Sequence, residues 1–421
     1  MSRCLSAAPS ARRCGWGRLV RIHFMLRIVL TPVLVVVLGI TVPASAMTAF
    51  PVSNSQLPLS AGCQFVDTTV PGSVLGQQMV PVPVSVDLGS PLRIHGRLCL
   101  PAGDPPRTVL LALHGWTYTN QYWDVGYQPG TYSFADHMTG AGYAVYAIDR
   151  LGYGQSDHPL SAAVTVDMQA AAVHQVVQQL RTGAIGGAAF DRVALVGHSM
   201  GSAVALLESS EYNDADAVIA TGFGSTTQLE PAARFASSVA RQPAMLDPKT
   251  SGEVGLDPGY VTTPPGGRAV DYLYYLDNAD PSLLNYDDNV LRDTAAFPEL
   301  PTALKQLGGV SLGTLPNTGE ELTLPLPGVT QRIQIPTFLL NGARDLIFCG
   351  PDLSHCRSSQ ALQQSESPHY SPAACFRAAV IDQSGHNVNL QRNAPVAYET
   401  IQSWIDQSLG PDGTKHRSTC R

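Results

Sequence analysis

The sequence predicts an α/β fold: a doubly wound, mostly parallel sheet interrupted by an inserted cap or lid. Three observations carry this. Short runs that are apolar on both faces recur along the chain, helical patterns separate them, and the alternation stops over residues 226–331 before it resumes. Short two-faced apolar runs read as buried parallel strands. Strands alternating with helices read as a doubly wound sheet.

The N-terminus comes first. Residues 1–27 carry six arginines and no acid, Ile28 to Val42 is almost wholly apolar, and Ala44-Ser45-Ala46 follows. A basic segment, a 15-residue apolar stretch and a small-x-small site form a secretory signal peptide over 1–46. The alternative is a membrane anchor, but the run is shorter than the roughly 20 residues a spanning helix needs. Met25 is an alternative start, and Arg12-Arg13 leaves twin-arginine export open. Removing 1–46 takes six arginines and no acids, so the net charge moves from −7 to −13. Such a chain lacks the basic face that nucleic acid requires.

Residues 47 to about 80 are rich in Pro, Ser, Gln and Thr and are expected to cross the surface irregularly. Strands are expected at Thr108–Leu113, Tyr143–Ile148, Arg192–Val196, Ala217–Ala220, Thr337–Leu340 and Ala378–Ile381. Helices are expected near 132–141, 163–182 and 200–210. The second of these carries Val166, Ala170, Val173, Val177 and Leu180 near a 3.6-residue period. From Asp247 to Glu321 there are twelve acids and four bases. This block is too long for a simple loop. A disordered acidic linker is the alternative, and the cluster Tyr272, Leu273, Tyr274, Tyr275 and Leu276 favours packing. The organisation is thus 1–46 signal peptide, 47–225 first part of the core, 226–331 cap, and 332–421 second part of the core.

Six cysteines follow the leader: Cys63, Cys99, Cys349, Cys356, Cys375 and Cys420. An even number in an exported chain points to disulfides, with fifteen possible pairings. Proximity favours Cys63–Cys99, Cys349–Cys356 and Cys375–Cys420. Zinc is a weaker reading, because no Cys-x-x-Cys pair is present.

Gly197-His198-Ser199-Met200-Gly201 lies between an expected strand and an expected helix. Glycines at both flanks allow a turn too tight for side chains. The helix that follows sets free N–H groups and positive dipole beside the serine.

On this motif and its context, residues 82–408 resemble the α/β-hydrolase superfamily, in its secreted serine esterase and lipase-like branch. His114-Gly115-Trp116 follows a strand, as the oxyanion loop does in that family. The resemblance implies that the backbone N–H groups of Trp116 and Met200 form the oxyanion hole. The side chains of His114 and Trp116 are expected to pack. Asp149-Arg150-Leu151-Gly152-Tyr153-Gly154-Gln155-Ser156 looks like the family's D-x-x-G-x-G-x-S turn, where it braces the loop, so Asp149 stays outside the catalytic set.

A serine needs a base, and the imidazolium then formed needs an oriented carboxylate. In the family's order the acid follows the serine and the histidine comes last. Asn341-Gly342-Ala343-Arg344-Asp345 follows a strand beyond the cap and offers Asp345, with Asp352 and Asp382 as competitors. Gly385-His386-Asn387 follows the last strand and offers His386. His198 is read as a strut. Serine at the elbow disfavours dehalogenase and epoxide hydrolase chemistry.

The expected function is a secreted hydrolase of carboxylic esters, possible lactones and lipids included, with Ser199 as nucleophile, His386 as base and Asp345 as its orienting acid. No metal and no cofactor is expected. The expected partner is a small-molecule ester, without nucleic acid and without a stable membrane span after processing; oligomeric state stays open. Acyl transfer, carbon–carbon bond hydrolysis and cofactor-free haloperoxidation are alternatives on the same residues, and a non-catalytic binding protein is a third class. Trp116, Tyr118, Tyr122 and Trp123 are expected either to line an apolar pocket or to pack in the core.

Overall fold

A computed structural model describes residues 62–73, 91–103, 105–253, 255–270, 272–304, 307–314, 321–326, 328–350 and 355–414. The expected signal peptide, 1–46, lies outside the described residues, as do Asp352 and Cys420. No helix among the described residues is long and apolar enough to cross a membrane.

The strands are β1 (Cys63–Val70), β2 (Leu92–Cys99), β3 (Thr108–Leu113), β4 (Ala144–Ile148), β5 (Arg192–His198) and β6 (Ala217–Thr221), then β7 (Thr226–Gln228), β8 (Tyr260–Val261), β9 (Ala295–Ala296), β10 (Gly309–Thr314) and β11 (Glu321–Pro325), and finally β12 (Thr337–Gly342) and β13 (Arg377–Ile381). Eight of them form one sheet in the order β1-β2-β4-β3-β5-β6-β12-β13. From β4 to β13 all neighbours are parallel. The β1–β2 and β2–β4 pairs are antiparallel.

The six expected apolar runs are all strands of this sheet. Side chains alternate between its faces with a period of two. On β3, Val109, Leu111 and Leu113 enter one core with Val193, Leu195, Val218 and Leu339. Leu110 and Ala112 enter the other with Ala194, Val196, Ile219 and Leu340. The helices Val166–Thr182 and Met200–Glu211 cover the first face, and Phe134–Gly140 and Ala394–Ser408 cover the second.

One expectation fails. Cys63–Val70 is a strand, not part of an irregular crossing. It is an edge strand paired antiparallel, so only one face needs apolar residues, and Gln64, Asp67, Thr68 and Thr69 dilute the signal. Cys63 sits directly opposite Cys99 in the register, and the two are disulfide-bonded. Cys349 and Cys356 form the second disulfide seen among the described residues.

Between the adjacent parallel strands β6 and β12 the chain makes its long excursion. It contains the helix Leu229–Ala240, a small sheet in which β10 pairs parallel with β7 and antiparallel with β11, and the antiparallel pair β8–β9. Buried ion pairs stud this segment: Arg292–Asp247 at 2.9 Å, Arg268–Asp287 at 3.8 Å, and Glu299 against Arg150 of the core.

Candidate active site

Ser199 sits at the C-terminal end of β5, immediately before the helix Met200–Glu211. Its backbone is at φ 52°, ψ −116°, a region that costs a non-glycine residue about 1–3 kcal/mol. The neighbourhood enforces it. A Cβ at Gly201 would stand 2.1 Å from the Leu113 carbonyl oxygen, and one at Gly197 would stand 2.5 Å from backbone of Gly201 and Ser202. Ser199 N–H donates to the Thr221 carbonyl at 2.9 Å, and Ser202 Oγ bridges both backbone groups of Thr221. The strand beside the elbow therefore holds the turn through its own main chain, which bonds the Ser199 N–H and the Ser202 hydroxyl.

Ser199 Oγ lies 2.9 Å from His386 Nε2, and His386 Nδ1 lies 2.9 Å from Asp345 Oδ2. The serine is half-buried, whereas His386 and Asp345 are buried. Asp345 follows β12, and its other oxygen accepts the N–H groups of Ile347 at 2.9 Å and Phe348 at 3.2 Å. One carboxylate oxygen is thus held by backbone while the other faces the imidazole. Three loops that the sequence offers separately meet here. Asp382, the competing acid, is exposed at the end of β13.

Met200 opens its helix, where a backbone N–H has no intrahelical acceptor. The Trp116 N–H has no backbone acceptor among the described residues. The Trp116 side chain is buried against Phe235 and Phe297, and its indole N–H donates to the Ala296 carbonyl at 3.2 Å. The β3 loop turns at Thr117, which has φ 61°.

The other aromatics are built into the core. Trp123 packs on Phe134, and Tyr122 stacks on the His198 ring at 4.4 Å. His198 is buried between Thr221 Oγ1 at 3.2 Å and Asn387 Oδ1 at 3.1 Å. Burial, then the nearby His386, pushes its pKa well below the usual value, so it stays neutral. His114 accepts the Arg150 N–H at 3.0 Å, and burial pushes its pKa well down too. Asp149 accepts the N–H groups of Asn120 and Gln155, which ties the β3 and β4 loops together. Burial raises its pKa to about 6.

Sequence reasoning missed a second layer. Asn387 Nδ2 donates to Tyr118 Oη at 2.8 Å, and Tyr118 donates to Asp287 at 3.1 Å. Arg268 stands over the Tyr118 ring at 4.1 Å and donates to the Thr117 carbonyl. Thr117 also accepts the Asp293 N–H at 3.0 Å, and Leu273 accepts the Asn387 N–H at 2.9 Å. The excursion therefore grips the β3 loop on one side and the histidine loop on the other. Adjacency of Asn387 to His386 was the one available signal.

No curated protein matches the chain. Among solved structures, a Rickettsia typhi chain put forward as a hydrolase is similar at 12% identity, covering 82% of this chain and 99% of its own, with a TM-score of 0.50. An alpha/beta hydrolase from Novosphingobium aromaticivorans is similar at 14% identity over 82% of this chain and 98% of its own, TM-score 0.49. A soluble variant of monoglyceride lipase from Saccharomyces cerevisiae, in complex with a substrate analog, is similar at 14% identity over 78% and 99%, TM-score 0.48. At such identity the first of these likenesses is one of fold alone. The model of the alpha/beta hydrolase family matches residues 109–399, from β3 into the last helix, and the chain belongs to that family.

Proposed function

We propose that the chain is an exported serine hydrolase that cleaves carboxylic esters of small molecules. The observation that carries this is the continuous line Ser199 Oγ, His386 Nε2, His386 Nδ1, Asp345 Oδ2, with both contacts at 2.9 Å, on a strained elbow.

His386 takes the hydroxyl proton as Ser199 Oγ bonds to the ester carbonyl carbon. Asp345 holds the ring in the required tautomer and stabilises the imidazolium. The carbonyl oxygen, now an alkoxide, sits against the N–H groups of Trp116 and Met200. Losing one such donor typically costs 10²–10³ in rate. His386 then hands its proton to the leaving alcohol as the carbon–oxygen bond breaks. Water, deprotonated by the same histidine, releases the acid from Ser199. The route uses no metal or cofactor.

Residues 226–331 act as the cap. Helix Leu229–Ala240 brings Phe235 to the Trp116 side chain, and Phe348 lies 6.0 Å from the His386 ring. This aromatic rim suits an ester with an apolar acyl or alcohol part. Residues 1–46 direct export, and the two disulfides fit an oxidising compartment.

Labelling with a fluorophosphonate probe tests the reading. The mature protein is expected to react, and Ser199→Ala and His386→Ala are expected not to. A folded wild-type protein that neither labels nor turns over a panel of esters of graded acyl length sinks the proposal.

A further inference from the structure

Away from the proposed triad, one side-chain cluster has chemistry that ester hydrolysis does not use. His174 lies on the helix Val166–Thr182, Glu208 near the end of the helix Met200–Glu211, and Asp214 in the turn before β6. They place one imidazole nitrogen and two carboxylate oxygens within 4.8 Å of one another.

Glu208 is fully buried, yet neither of its carboxylate oxygens has a hydrogen-bond partner among the described residues, and nor does Asp214 Oδ1. Two carboxylates thus stand side by side, and none of these three oxygens meets a donor in hydrogen-bonding geometry among the described residues. The nearby cations and amides point elsewhere. Arg181 donates to the Asp214 carbonyl and to the Asp216 carboxylate, and Gln178 donates to the other Asp214 oxygen. His174 Nδ1 lies 2.7 Å from Asp214 Oδ2, and its ring stacks on Tyr212 at 4.1 Å and 9°, which fixes the ring plane. A buried carboxylate facing a second carboxylate is strongly unfavourable unless a proton or a cation joins them. Burial, then Asp214, pushes the Glu208 carboxyl well above its usual range.

We propose that His174, Glu208 and Asp214 bind a divalent transition-metal ion, zinc by preference. One imidazole with two carboxylates is a zinc-type set, whereas calcium and magnesium favour oxygen alone. An ion about 2.0–2.2 Å from each ligand needs only side-chain adjustment of the present cluster. The His174 and Asp214 side chains are 24% and 18% exposed, which leaves an open side for a water ligand. The three ligands come from the nucleophile's helix, its neighbouring helix and the turn into β6. Glu208 is nine residues from Ser199, roughly 13 Å along the helix, so the ion clamps the far end of that helix and takes no part in the chemistry.

The test is metal content. Untagged mature protein is equilibrated with zinc, freed of excess by gel filtration, and analysed by mass spectrometry for metal. Wild type is expected to hold about one equivalent, and Glu208→Gln and Asp214→Asn less than a tenth of one. Zinc is expected to raise the wild-type melting temperature by several degrees, reversibly with a chelator, and to leave the variants unmoved. Asp214→Asn is the control for folding, since Asp214 is partly exposed. Wild type holding no more zinc than Asp214→Asn overturns the proposal and leaves Glu208 as a carboxylic acid sharing its proton with Asp214. Tighter binding of calcium or magnesium than of zinc overturns it equally.

Discussion

Around the proposed triad the sheet and the excursion between β6 and β12 handle buried polarity in opposite ways, although the sheet buries an ion pair of its own elsewhere, Arg97–Asp124. In the sheet, polar groups at strand ends are met by backbone. Asp345 accepts two N–H groups, Ser202 bridges Thr221, and Asn341 exchanges hydrogen bonds with both backbone groups of Phe223. In the excursion, whole charges are buried instead. Arg268, Arg292, Asp247, Asp287 and Glu299 are all buried. Arg268 Nε and Nη1 and Asp287 Oδ1 find no hydrogen-bond partner among the described residues. Desolvation offsets most of what such pairs gain, but removing one partner leaves the other stranded. The sheet therefore places the proposed reacting groups through main-chain geometry, while the excursion holds the loops around them through charge.

The largest expected effect is on chemistry, in the sheet. Asp345→Asn keeps an oxygen for the Ile347 and Phe348 N–H groups but turns an amide toward His386 Nδ1, favouring the wrong tautomer. On the proposed mechanism kcat falls about 10⁴-fold, roughly the effect of this change in other triads, with the melting temperature nearly unchanged. Steady-state kinetics beside thermal melts decide it. Loss of fold together with activity would make Asp345 structural.

The next largest effect is on stability, in the excursion. Asp287→Ala strands Arg268 and removes the acceptor of Tyr118 and Tyr274. It should cost about 3–5 kcal/mol in denaturant unfolding. Asp287→Asn, which keeps an acceptor, should cost less. Equal, small losses in both variants would erase the contrast between the two regions.

That contrast also explains what was legible in the sequence. The strands from β3 to β12 in the sheet could be read because burial on both faces writes a continuous apolar run, and β13 because Ala378 to Ile381 is apolar even though only Ile381 is buried. Ser199, Asp345 and His386 could be proposed from the sequence because each follows such a run. β1 was lost because an edge strand with Asp67 and Thr69 on it carries a weaker pattern. Within residues 226–331 the ion pairs were invisible, because a buried Arg268 looks in sequence like a solvated one. Its partner Asp287 is 19 residues away with no periodicity to link them. The bonded roles of Tyr118 and Asn387 escaped the sequence for the same reason, since they exist only where three loops converge.

The disulfides give a smaller, graded effect. Cys63–Cys99 closes a separation of 36 residues and Cys349–Cys356 one of 7. Loop-closure entropy assigns roughly 4 and 2 kcal/mol respectively. Replacing each pair by serines and measuring unfolding should reproduce that order. The reverse order would mean that the short bridge stabilises by bracing the loop that carries Asp345, next to which Cys349 donates its N–H to the Asp345 carbonyl.

The smallest effect separates the regions by pH. Glu253, in the excursion, has its pKa raised to about 7 by burial and then by the Asp293 charge. His158 lies 3.2 Å away, and Glu253 raises its pKa against the opposing effect of burial. Between about pH 4.5 and 7 the folded Glu253 keeps a proton that the unfolded chain has released, so its contribution to stability falls as pH rises. The raised His158 acts in the same direction: its contribution is full below the unfolded value of 6.5 and is lost as pH passes the folded one. From pH 5.5 to 7.5 the Glu253 part amounts to about 1–2 kcal/mol. Glu253→Gln should flatten that slope, and His158→Gln should flatten what remains. If both variants keep the wild-type slope, the sensitivity lies instead with Asp149 in the core, whose raised pKa of about 6 has the same sign.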